Sequence, residues 1–91
     1  MAERTRVWLV ERTYSDDEQN LIILTYSTPD GSHDFRKERA LTSFTGDTRE
    51  TPVSLEVERS NLGTVDDPET RERYAKEAER MAKTHDPSGV L

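Results

Sequence analysis

Apolar and polar residues along this chain fall into short runs separated by turn signals, and the period of each run predicts its element. Residues 5–14, Thr-Arg-Val-Trp-Leu-Val-Glu-Arg-Thr-Tyr, are rich in β-formers and predict a strand. A polar turn over 15–20 leads to a second strand over 21–28, Leu-Ile-Ile-Leu-Thr-Tyr-Ser-Thr, so the two form a hairpin. Thr28-Pro29-Asp30-Gly31-Ser32 is a further turn: proline presets one dihedral and glycine takes the positive φ that follows. A third strand is predicted near 33–39, where the alternation is poor and a short helix over 34–41 competes with it. After the loop marked by Gly46-Asp47 and Pro52, residues 53–59 alternate cleanly. Val53, Leu55 and Val57 fall on one face, and Ser54, Glu56 and Glu58 on the other.

From Asp67 the period changes to that of a helix, predicted over 67–84. Asp67 suits the N-cap, Pro68 the first turn, and Glu69 the positive end of the helix dipole. Tyr74, Ala78, Met81 and Ala82 share one face, and Glu69–Arg73, Glu72–Lys76 and Glu79–Lys83 are spaced to pair at i,i+4. Pro87 and Gly89 mark its end, and 88–91 are expected to fray. The pattern describes a single small α+β domain over 1–91: an antiparallel sheet of three to four strands with one C-terminal helix.

The hairpin carries a further implication. Val7, Trp8, Leu9 and Val10 are consecutive, as are Leu21, Ile22, Ile23 and Leu24, so both sheet faces are apolar there and both need a cover. A single alanine-rich helix covers one. For the other the candidates are the 42–52 loop with Phe44, curling of the sheet, or a second copy of the chain. Trp8, Val10, Ile22, Leu24 and Tyr26 are therefore candidate interface residues of a homodimer, or of a complex with another protein. Trp8, Tyr14 and Tyr26 serve equally well as plain core.

Composition narrows the partners. Nineteen Asp and Glu against thirteen Lys and Arg give a net charge of −6, with the acid excess spread over both halves of the chain. Such a surface repels phosphates and argues against general nucleic-acid binding. Ten of the thirteen cations are arginine, and an acid-rich, lysine-poor surface suits a high-salt cytoplasm. Cysteine is absent, which removes disulfides, thiolate nucleophiles and Cys-rich zinc sites. No apolar run is long enough to span a bilayer, and the first residues lack the pattern of a signal peptide, so the expected compartment is the cytoplasm.

Candidate chemistry is sparse. The two histidines each precede an aspartate, His33-Asp34 and His85-Asp86. An HD dipeptide resembles one element of metal-dependent phosphohydrolases, whose further His and Asp ligands this chain lacks. Asp16-Asp17 and Asp66-Asp67 have the setting of a turn and a cap, not of a calcium loop. The one basic cluster, Arg36, Lys37 and Arg39 with Phe35 before it, has the makings of a phosphate grip with a stacking ring. Glu38 interrupts it, and a charged edge strand also serves to discourage sheet pairing. No P-loop, dinucleotide fingerprint or nucleophile elbow is present, and no catalytic residue, metal ligand or cofactor is expected.

The stretch from Arg6 to Phe44, with Val7-Trp8-Leu9-Val10-Glu11-Arg12 and Tyr26-Ser27-Thr28-Pro29-Asp30-Gly31, resembles small acidic proteins of halophilic archaea, and Asp66 to Ala75 is similar in style. The resemblance implies a cytoplasmic, salt-adapted protein and carries over no activity. The leading functional expectation is a non-enzymatic interaction module, self-associating through the doubly apolar hairpin. A nucleic-acid-linked regulator using 35–39 and a metal-dependent hydrolase using the His-Asp pairs are the alternatives.

Overall fold

The computed structural model describes residues 3–14, 21–40 and 51–90, the side chains at 14, 21, 39 and 40 excepted. Among the described residues five strands form one antiparallel sheet: β1 (Arg4–Tyr14), β2 (Leu21–Ser27), β3 (His33–Ala40), β4 (Ser54–Glu58) and β5 (Gly63–Thr64), in the order β4-β1-β2-β3-β5. A single helix, α1 (Pro68–Thr84), follows. The α+β architecture is as the sequence predicts, with two additions. A 3₁₀ turn at Arg59–Asn61 and the two-residue β5 carry the chain from one sheet edge to the other. The competition over 34–41 resolves as strand through 40, because seven consecutive positions of β3 pair with β2, from Leu21 opposite Ala40 to Ser27 opposite Asp34.

Alternation fails in β1 for a definite reason. Leu9 pairs with Tyr26 and Glu11 with Thr25, so Val10 is an extra residue, a β-bulge. Beyond it the strand changes phase: Trp8 and Glu11 share a face, as do Leu9 and Arg12. One sheet face then carries Val7 and Leu9 with Leu24, Tyr26, Phe35, Leu55 and Val57. The opposite face carries Trp8 with Thr25, Ser27 and Ser54.

Both faces are filled at the centre of the sheet. Tyr26 and Val7 are fully buried, Leu24 is 1% exposed, and on the opposite face Ser27 is fully buried and Trp8 is 7% exposed. Ala78 and Met81 of α1 pack into the same core cluster as Val7, Trp8, Leu9, Leu24, Tyr26 and Val53. The Trp8 face reconciles a large ring with hydroxyl neighbours: Trp8 lies opposite Ser27 on one side and Ser54 on the other. Those polar atoms are satisfied. Ser27 Oγ donates to its neighbour's carbonyl, Thr28 O, and Ser54 Oγ donates to Pro87 O at 2.7 Å.

Three expectations need correction. Ala82 is exposed and does not share the buried face of Tyr74, Ala78 and Met81, because the stripe of a helix on a sheet is narrow. Arg73 pairs with Glu11 of β1 at 3.8 Å in place of Glu69, a non-local partner that spacing along the helix cannot reveal. The tail expected to fray is tied down through Val90. Val53 N–H donates to Gly89 O, Ser88 bonds the Asp86 carboxylate, and Pro52 bridges Val90. The suggestion that the 42–52 loop seals a face lies outside the described residues except at Thr51 and Pro52, where the Pro52 carbonyl accepts the Tyr26 hydroxyl at 2.8 Å. Among the described residues no helix is long and apolar enough to cross a membrane.

Candidate interaction surface

The five proposed interface residues sit mostly inside the chain. Trp8, Leu24 and Tyr26 are buried, while Val10 and Ile22 are half-buried against the same cluster. Trp8, Leu24 and Tyr26 are therefore unavailable as an association face in the folded chain. Trp8 on one face and Leu24 and Tyr26 on the other are both covered within the chain, which the pattern along a single strand cannot show.

The basic cluster lies on β3, and strand geometry divides it. Phe35 and Lys37 alternate on the Tyr26 face, opposite Tyr26 and Leu24, and the backbone of Arg39 pairs with Ile22. Asp34, Arg36 and Glu38 fall on the other, opposite Ser27, Thr25 and Ile23. Arg36, Lys37 and Glu38 are exposed and Phe35 is half-buried. Arg36 reaches Asp34 at 4.0 Å, a solvent-screened contact. The cluster is therefore no single cationic patch. It is an edge strand: β5 pairs only with His33 and Asp34, and among the described residues no strand lies beside β3 from Phe35 onward.

The histidines do not meet. His33 opens β3 and His85 caps the C-terminus of α1. The turn beside His33 rests on α1 at Arg71, fourteen residues before His85, or on the order of 20 Å of helix. One ion cannot take ligands from both, and among the described residues no group of three or more His, Asp or Glu is placed to hold a metal.

Sequence reading missed one polar constellation. The Asp30 carboxylate accepts the Thr28 hydroxyl at 2.7 Å, the Ser32 N–H at 3.0 Å and the Ser32 hydroxyl at 2.7 Å. The Thr28 hydroxyl first, then the two Ser32 donors, hold this carboxyl well below the usual carboxylate range. Ser32 Oγ also stands 2.9 Å from His33 Nδ1. The order is carboxylate–hydroxyl–imidazole, whereas nucleophile activation places the imidazole between the other two. Its work is structural: it closes the β2–β3 turn, with Gly31 N–H donating to Thr28 O.

An open depression of about 290 Å³ on α1 is walled by Lys76, Glu79, Arg80 and Lys83. Its cations are already paired along the helix, Lys76 with Glu72, Arg80 with Glu77 and Lys83 with Glu79. The flank of one helix makes no enclosed binding site.

Fold and surface together describe a small α+β protein in whose antiparallel sheet the charged strand β3 has, among the described residues, no neighbour on its outer side beyond Asp34. The chain belongs to a family of unknown function, DUF7967, whose model matches residues 1–91. No curated protein and no solved structure matches it.

Proposed function

We propose that this protein is a non-catalytic interaction module of a salt-rich cytoplasm, engaging a protein partner along the open edge of β3. The observation that carries the reading is that edge. The strand runs over His33–Ala40, yet among the described residues its outer side is paired only at its first two positions. Unpaired N–H and C=O groups over 35–39 form a template for another strand, and main-chain bonding of this kind is a recurring mode of protein recognition. The hairpin faces are filled within the chain, which moves association from a face to an edge. The excess of Asp and Glu and the scarcity of lysine support the salt-rich setting.

Amide exchange tests the reading directly. In the isolated protein every second amide over 35–39, the outward-pointing set, should exchange without protection while the inward set is protected by β2. Uniform protection in a monomer would mean that the chain covers its own edge, and the reading would fail.

A further inference from the structure

We infer that Asp30-Gly31 is a covalent modification site of this chain. The aspartate isomerises to its β-linked form when the β2–β3 turn opens, and is protected while the turn is docked on α1.

The chemistry follows from the pair of residues. Asp30-Gly31 is the only Asp-Gly in the sequence, and Asn-Gly does not occur. Gly31 has no side chain to obstruct attack by its nitrogen on the Asp30 side-chain carboxyl carbon, Cγ. The N–Cγ bond forms, the Cγ–OH bond breaks, and water leaves with the amide proton, giving a five-membered imide. Water then adds to one of the two imide carbonyls. Addition at Cγ restores aspartate. Addition at the main-chain carbon breaks its bond to the Gly31 nitrogen and leaves the chain running through Cβ and Cγ. One water leaves and one enters, so mass is unchanged and solvent is the only co-reactant.

The docked turn opposes each step. The reactive carboxyl is the neutral acid, whose hydroxyl can depart. Asp30 Oδ1 is instead held as an ionised acceptor by the Thr28 hydroxyl at 2.7 Å, the Ser32 N–H at 3.0 Å and the Ser32 hydroxyl at 2.7 Å. Ring closure consumes the carboxylate and strips all three donors of their charged partner. The nucleophile is engaged as well: Gly31 N–H donates to Thr28 O at 2.9 Å, a bond that the imide, having no N–H, cannot make. The product fits no better. A β-linkage lengthens the main chain by one methylene beside Gly31, where even an added Cβ would lie 2.0 Å from the Arg71 carbonyl oxygen. That oxygen belongs to helix backbone, so the lengthened turn cannot dock as the native one does. Unfolding releases every one of these restraints. The time a chain spends open is then recorded in it as a covalent change that obstructs refolding.

The experiment follows the full chain in high-salt buffer and in guanidinium chloride, at one mildly acidic pH and one temperature. The β-linked form at position 30 is counted by electron-transfer fragmentation, which cleaves its distinctive Cα–Cβ bond. The unfolded chain should accumulate it steadily, and the native chain at least about a hundredfold more slowly, because a folded chain is open for only a small fraction of the time. Ser32→Ala should raise the native rate at least about tenfold, beyond what its loss of global stability accounts for, and leave the rate in denaturant unchanged. A second measurement needs no variant. The β-linked chain, separated and returned to native buffer, should stay unfolded or melt lower than unmodified chain from the same sample. Absence of β-linked product in denaturant would overturn the site. Equal rates in the two conditions, or a Ser32→Ala rate matching wild type in native buffer, would overturn the protection assigned to the turn. A β-linked chain that refolds to the wild-type melting temperature would overturn its coupling to the fold.

Discussion

Gly31 is the position at which one atom matters most. Its φ is +74°, and a Cβ there would lie 2.0 Å from the Arg71 carbonyl oxygen and 3.0 Å from the Ala75 nitrogen. Helix backbone cannot yield as a side chain can. Gly31→Ala combines backbone strain with overpacking and should cost about 2–4 kcal/mol, read as a lowered denaturant midpoint. Asp30 beside it sets an acid limit. Its carboxyl is held below its ordinary value of 3.8, so the native state binds fewer protons there than the unfolded chain. That contribution is complete above about pH 4–5 and is lost as the pH falls through the native value. Asp67 and Asp86 are lowered in the same direction, by Thr70 and by Ser88. Acid titrations of stability should slope downward below about pH 4, and Asp30→Asn should flatten that slope. An unchanged slope would show that the turn hydrogen bonds do not persist in solution.

At the scale of elements, α1 offers the cleanest test of local chemistry. Asp67 accepts the Thr70 N–H at 3.1 Å and its hydroxyl at 2.6 Å, so Asp67→Ala should destabilise by about 1 kcal/mol, measurable by thermal melting. This cap was legible in the sequence, as were the hairpin and the alternating strand near 53–59, because each is written in local spacing. What was not legible is non-local. β5 is two residues long and exists only because His33 and Asp34 lie beside it. The poor alternation of β3 reflects an edge strand with exposed charges on both faces, and its pairing with β2 decides against helix. Arg73 finds Glu11, which no helical period connects to it. The candidate surface was half legible: Phe35 to Arg39 stood out as a charged run, but its division between two faces required the register.

For the whole molecule, electrostatics is distributed. Arg6–Glu56, Arg36–Asp34 and the pairs along α1 are solvent-exposed contacts of small individual worth, against a net charge of −6. Screening then relieves more repulsion than it removes attraction. Melting temperature should rise as potassium chloride is raised from low to molar concentration. A flat or falling trend would remove the physical support for a salt-rich setting.

The bulge at Val10 acts on the chain as a phase shift acts on a wave. Before it, odd-numbered residues of β1 point with Tyr26; after it, even-numbered ones do. Removing Val10 would let β1 run as a regular strand, with Leu9 still opposite Tyr26, Glu11 opposite Thr25 and Arg12 opposite Leu24, each on the face it already occupies. Deleting this one valine should therefore preserve the pairing of β1 with β2, losing its half-buried side chain and the local twist that a bulge adds, read as a modestly lowered denaturant midpoint.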